Sequence, residues 1–198
     1  MLSGNILQPI REVIFEGRLI ALTKKDGGMR PIAVGYTLRR LVAKWANSHV
    51  ITARSNELKP IQVWVDVSRG AEAAVHAARR FVETLEYENV LVKLDFANAF
   101  NTIRRDSTLE TTAENTPELY KFILSTHSCE FKLTFGPYII LSREGSQQGD
   151  PLSGLEFFDT VHPIIAESQS KLKLGYMDDF KLGARIQVVA SDIERIID

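Results

Sequence analysis

Apolar residues recur along this chain in two rhythms, alternate and helical, and the changes between them mark out its elements. Arg18 to Thr23 and Met29 to Val34 are apolar runs of strand length, separated by Lys24-Lys25-Asp26-Gly27-Gly28. Asp-Gly-Gly supplies the positive φ of a tight turn, so the two runs predict a β-hairpin with basic residues at its tip. Leu38, Leu41, Val42, Trp45 and His49 return at helical spacing, and a second helix is expected from Gly70 to about Leu85 through Ala74, Ala77, Ala78 and Phe81. Lys59-Pro60 and Ile61 to Val67 read as a loop and a short extended segment.

From Asn89 the pattern becomes a buried strand, Val90 to Leu94, ending on Asp95. A helical stretch through Arg105 to Leu124 is interrupted near Thr116-Pro117, and Phe131 to Phe135 with Tyr138 to Leu141 predict a hairpin turned at Gly136-Pro137. A polar loop, Ser142 to Asp150, leads into a helix expected to begin at Pro151, where proline suits the first turn. Leu172 to Tyr176 and Phe180 to Leu182 are short strands around Met177-Asp178-Asp179, and Ser191 is the expected cap of a final helix. The order predicts an α+β fold in which an antiparallel sheet carries helices on one face.

Composition adds bounds. In 198 residues, 44% hydrophobic and 25% charged content allow a real core. One cysteine, Cys129, forms no internal disulfide, which fits a reduced intracellular setting. No apolar run approaches the roughly 18 residues of a spanning helix, so no membrane partner is expected. Residues 1–90 carry 13 Lys/Arg against 9 Asp/Glu, and residues 91–198 carry 11 against 16. That asymmetry fits a half that meets phosphates and a half that holds cations, and equally chance in a near-neutral protein.

The candidate chemistry lies in the acidic half. Asp95 ends a strand, and Asp178-Asp179 sit at a hairpin tip some eighty residues later. Carboxylates brought together on strand ends repel unless cations lie between them. Mg²⁺ suits such a set, and two ions roughly 3.5–4 Å apart clamp the attacking and leaving oxygens of a phosphoryl transfer. Singly, Asp95 reads equally well as a cap, and Asp178-Asp179 as a solvated tip.

The flanking residues make the signal specific. Leu94-Asp95-Phe96-Ala97-Asn98-Ala99-Phe100-Asn101, Gly145-Ser146-Gln147-Gln148-Gly149-Asp150-Pro151-Leu152-Ser153, Tyr176-Met177-Asp178-Asp179 and Arg30-Pro31-Ile32 stand in the order and approximate spacing of four reverse transcriptase motifs. The chain from about Leu22 onward resembles these enzymes, above all those of non-LTR retrotransposons. The resemblance implies a right-hand polymerase, with a fingers-like region over 1–89 and a palm region over 90–198, together forming one partial domain. It implies that Asp95 and Asp178 bind two Mg²⁺, with Mn²⁺ as a substitute, that Asp179 assists, and that the Phe96 carbonyl adds an oxygen. Phe100 would be the gate that excludes a ribose 2′-hydroxyl. Gln148 and Gly149 would floor the nucleotide pocket. Lys24, replaceable by Lys25, and Arg30 would meet the triphosphate. Arg39, Arg40 and Lys44 read as trackers of template phosphates or as an exposed basic face.

The implied partners are an RNA template, a DNA primer and deoxynucleoside triphosphates, and the implied compartment is the nucleus or the cytoplasm. Two departures stand out: Gln62 is followed by Val63-Trp64 where the family has a glycine two positions on, and the sequence reaches Asp198 without the family's lysine motif, primer grip or thumb. The expectation is therefore a truncated RNA-directed DNA polymerase core, with a catalytically inactive remnant that binds nucleic acid or protein as its alternative. A nucleotide cyclase shares the two-metal logic but not the Lys24/Arg30 hairpin or the Gln148-Gly149 loop.

Overall fold

The computed structural model describes residues 1–25, 27–128 and 130–197, so the turn position Asp26, the lone Cys129 and Asp198 lie outside the described residues. In chain order the elements are α1 (Gln8–Phe15), β1 (Gly17–Thr23), β2 (Met29–Gly35), α2 (Thr37–Leu58), α3 (Gly70–Glu83), β3 (Asn89–Asp95), α4 (Ala99–Thr102), α5 (Arg105–Asn115), α6 (Pro117–His127), β4 (Phe131–Phe135), β5 (Tyr138–Ser142), α7 (Ser153–Ala166), β6 (Leu172–Tyr176), β7 (Asp179–Arg185) and α8 (Ile186–Ile197). They fall into two compact units, Met1–Val50 with Asn98–Phe157 and Ile51–Ala97 with Phe158–Asp198. Among the described residues no helix is long and apolar enough to cross a membrane.

In the first unit the predicted β1–β2 hairpin closes through Lys24 N–H donating to the Gly28 carbonyl at 2.7 Å. The second hairpin, β4–β5, does not stand apart from it. Strand β4 runs parallel to β1, with Gly17 beside Leu133, and the sheet order is β2-β1-β4-β5. Phe15, fully buried, meets Phe131 at 5.3 Å between ring centres, with Ile14 completing the cluster. Each such aromatic, taken out of water, contributes about 1.5–3 kcal/mol.

Helix α2 forms where its apolar spacing predicts, but buries a different face. Arg39, Ala43, Ala46 and Val50 are the inward positions, whereas Leu38, Leu41 and Trp45 are 49%, 60% and 62% exposed. Two of these four inward positions are alanine, and one is a buried arginine. Trp45 instead stacks on His49 at 5.9 Å and lines an open apolar hollow with Met1, Leu2, Leu38, Leu41 and Val42.

In the second unit β3, β7 and β6 form an antiparallel sheet in that order. Leu182, Ala184 and Val189 form a core joined by Val90, Val92 and Leu94, so one face of the sheet packs on α8. That helix starts five residues before Ser191, because β7 runs straight into it and the Ile186 N–H is capped by the Glu88 carbonyl at 2.9 Å. Similarly α7 begins at Ser153, after a turn in which Asp150 Oδ1 accepts the Leu152 N–H at 2.9 Å. The segment expected to be extended makes one bridge, Gln62 beside Gly175.

Candidate active site

Strand pairing brings two of the predicted carboxylates face to face. In the β3–β7 register Asp95 lies opposite Asp179, and Asp179 also pairs with Tyr176 of β6. Asp178 occupies the intervening two-residue turn after Met177, whose φ of 55° is the left-handed value such hairpin turns demand. A non-glycine residue held there costs on the order of 1–3 kcal/mol. The Phe96 ring meets Phe180 edge-on at 5.6 Å, anchoring the chain as it leaves β3.

The same face carries a second like-charge pair, Lys93 opposite Lys181, one pleat from the aspartates. Like charges directly opposed in a sheet are unfavourable, and the diagonal position is within reach of a long side chain. Lys93 takes that diagonal, its Nζ lying 2.6 Å from Asp179 Oδ1. Its ammonium is held above the ordinary lysine range, first by the hydrogen bond with Asp179 and that residue's charge, with Asp95 and Asp178 adding to the effect. Sequence reasoning passed over Lys93, although its two-residue spacing from Asp95 on a strand put it on the same face.

As donors for a metal, these residues offer only hard carboxylate oxygens, the chemistry Mg²⁺ takes. An ammonium already sits on one of them as a stand-in cation. Among the described residues, however, no three His, Cys, Asp or Glu side chains converge into a group that could hold a metal ion.

Strand β6, which delivers the turn, is fixed by the segment around Gln62. The Val63 N–H donates to the Gly175 carbonyl at 3.0 Å, and the Gly175 N–H to the Ile61 carbonyl at 2.7 Å. Trp64, the family departure, packs on Phe158 at 5.3 Å. The departure thus leaves a tryptophan resting on Phe158 and partly exposed, with the tie to β6 intact.

The other predicted residues lie in the first unit. Lys24, Lys25 and Arg30 line an open cleft at the hairpin tip together with Leu22 and Thr23. Gln148 and Gly149 are seated on the neighbouring strand: the Ala33 N–H donates to the Gln148 carbonyl at 2.8 Å. Gly149 has φ +115°, and a Cβ there would stand 2.7 Å from the Ala33 oxygen, so only glycine permits this approach. On its other side the loop meets the start of α4, where the Ser146 N–H donates to the Phe100 carbonyl at 2.7 Å. Phe100 is 9% exposed and packs on Phe157 at 5.2 Å. Two motifs far apart in sequence, Arg30-Pro31-Ile32 and Gln147-Gln148-Gly149, therefore form one local structure.

Arg39 overturns its sequence reading. Its guanidinium is buried, with Nη2 2.7 Å from Asp150 Oδ2, Nη1 donating to Gln147 Oε1 at 3.0 Å, and its central carbon over the Phe15 ring, 5.5 Å from the ring centre. It holds the loop through Gln147 and Asp150, leaving Arg40 and Lys44 as the exposed cations of that stretch. Burial pushes the Asp150 carboxyl above the usual carboxylate range even though the Arg39 charge opposes it. Nearby, burial also raises Glu156, but the charge and hydrogen bond of His127, with Ser146 and Arg39, outweigh it and hold that carboxyl low.

Residues 22–196 match the family model described as reverse transcriptase (RNA-dependent DNA polymerase). The chain belongs to that family. No curated protein matches this reverse transcriptase chain by sequence. Its fold is similar to that of telomerase from Candida tropicalis in complex with a TWJ fragment of telomeric RNA, with TM-score 0.66 and 13% identity over 94% of this chain and 38% of that one. The corresponding Candida albicans complex gives 0.67 and 10% over 97% and 41%. The apo Candida tropicalis enzyme truncated from its C-terminal domain gives 0.61 and 14% over 93% and 46%. The reverse transcriptase chain spans less than half the length of each.

Proposed function

We propose that this chain carries the catalytic carboxylates of an RNA-directed DNA polymerase that extends a DNA primer on an RNA template, in a protein of non-LTR retroelement type acting in the nucleus. The observation that carries the reading is the facing of Asp95 and Asp179 at the open end of the β3–β7 ladder, with Asp178 in the adjoining turn. Opposed carboxylates weaken a sheet unless a cation joins them, so their placement is understandable as a cation site.

Asp95, Asp178, Asp179 and the Phe96 carbonyl would hold two Mg²⁺, or Mn²⁺ in their place. When bound, the ions supply charge neutralisation for in-line attack of the primer 3′-hydroxyl on the α-phosphate. The chain's own residues do the rest. Lys24 and Arg30 neutralise the triphosphate as pyrophosphate departs. Gln148 and Gly149 floor the nucleotide pocket, Gly149 letting the backbone come close. Phe100, buttressed by Phe157, closes the space a 2′-hydroxyl would need. In this reading residues 1–89 act as fingers and 90–198 as palm. The similarity to telomerases solved with telomeric RNA supports an RNA strand as partner.

Asp178→Asn should lower Mg²⁺-dependent primer extension on an RNA template by at least about 100-fold, the scale on which losing an electrostatic group at a transition state acts. Undiminished extension by that variant would refute the assignment. A parent protein that binds primer and template but never extends them would establish the non-catalytic alternative instead.

A further inference from the structure

The charged face of the β3–β7 ladder contains more than the family motif requires. Lys93 and Lys181 oppose one another one pleat from the opposed Asp95 and Asp179, so the sheet carries two unfavourable pairs side by side. Only a diagonal contact relieves both, and Lys93 makes it, at 2.6 Å from Asp179 Oδ1. Both side chains keep substantial solvent exposure, 55% and 40%, so the contact is an exposed ion pair free to open. Among the described residues the carboxylates do not converge into a metal-holding group, and one aspartate is turned toward an ammonium on its own sheet.

We propose that Lys93 is a built-in counter-ion of the carboxylate site: it neutralises Asp179 in the metal-free chain and must release it before Asp179 can join the binding of a divalent cation. The inference rests on the metal-site reading above. It makes Lys93 a positioning residue, which sets how strongly the site takes Mg²⁺ and keeps like charges from splaying the strand ends when no cation is there. A permanent competitor lowers divalent affinity. It thereby leaves the ions exchangeable and makes their retention depend on the phosphates of an incoming nucleotide.

The test is divalent binding to the purified chain without substrate, read by Mn²⁺ electron paramagnetic resonance and by Mg²⁺ competition against it. Lys93→Met should bind the metal about two- to fivefold more tightly than the parent, the range expected for removing one exposed ion pair. Lys93→Arg, which keeps the charge and the reach, should bind like the parent. In an Asp179→Asn background, Lys93→Met should change affinity by much less, because the competition runs through that carboxylate. Equal affinity of parent and Lys93→Met would overturn the proposal, as would an equal gain in the Asp179→Asn background, which would mark a diffuse charge effect. A parent whose Mn²⁺ binding is untouched by Asp95→Asn and Asp178→Asn would overturn the metal-site reading itself, and this inference with it.

Discussion

Replacing Arg39 by methionine is the most informative single perturbation of the first unit. The substitution keeps most of the apolar stem and deletes a guanidinium that pairs with Asp150 at 2.7 Å, the two side chains being 5% and 8% exposed. Breaking a buried pair from one side leaves an uncompensated charge and costs about 3–5 kcal/mol, against about 5–15 kcal/mol for the whole stability of a typical domain. Gln147 also loses its 3.0 Å donor, and Phe15 its stacked cation. The pH dependence follows from Asp150. Burial already raises its carboxyl above the ordinary value, and Arg39 is the first of the groups that oppose this, so the variant raises it further. A carboxyl raised in the folded state contributes stability that is full below the unfolded pKa, about 3.9, and lost as pH climbs through the folded pKa. Arg39→Met should therefore be weakened more at pH 8 than at pH 5, seen as a lower urea midpoint at unchanged slope. Adding Asp150→Asn should return much of the loss and flatten the pH difference. A loss below about 1 kcal/mol, or no recovery in the double variant, would refute the claim that this pair secures the Gln148-Gly149 loop.

Two further predictions concern that loop and its neighbour. Phe100→Val should raise ribonucleotide incorporation relative to deoxynucleotides in primer extension, and unchanged sugar selectivity would remove the gate assignment. Valine is the better test because Phe100→Ala, stripping a ring packed on Phe157, would also cost about 3–5 kcal/mol of stability. Gly149→Ala forces a side chain into φ +115° and against the Ala33 oxygen. It should lower the melting temperature by about 2–12 °C and raise KM for deoxynucleotides, and a variant as stable as the parent would show that the loop is not held where it is described.

What the sequence made legible was local. The three hairpins, the Thr116-Pro117 break and the strand ending at Asp95 rest on turn chemistry and short-range periodicity, which the finished fold does not override. Long-range choices were invisible. Nothing in Gly17 to Thr23 announces a parallel partner in β4, because strand runs carry no address. The helix of Leu38, Leu41 and Trp45 was found by its large apolar residues, yet alanines and a buried arginine face inward, since what decides burial is the room available and the carboxylate waiting there. At the carboxylate site the motifs named Asp95, Asp178 and Asp179, while the register that opposes Asp95 to Asp179, and puts Lys93 on their diagonal, required the paired strands.

Each compact unit is stitched from two separate stretches of chain. During synthesis β3, with its apolar Val90, Val92 and Leu94, emerges long before β7, the strand beside it, and β1 waits similarly for β4. Neither unit can close until its second stretch is made, so this protein folds through long-range pairings, the slow class of topology. Until Asp179 to Arg185 is made, β3 has no ladder partner, and its unpaired edge is where chaperone dependence and aggregation should concentrate.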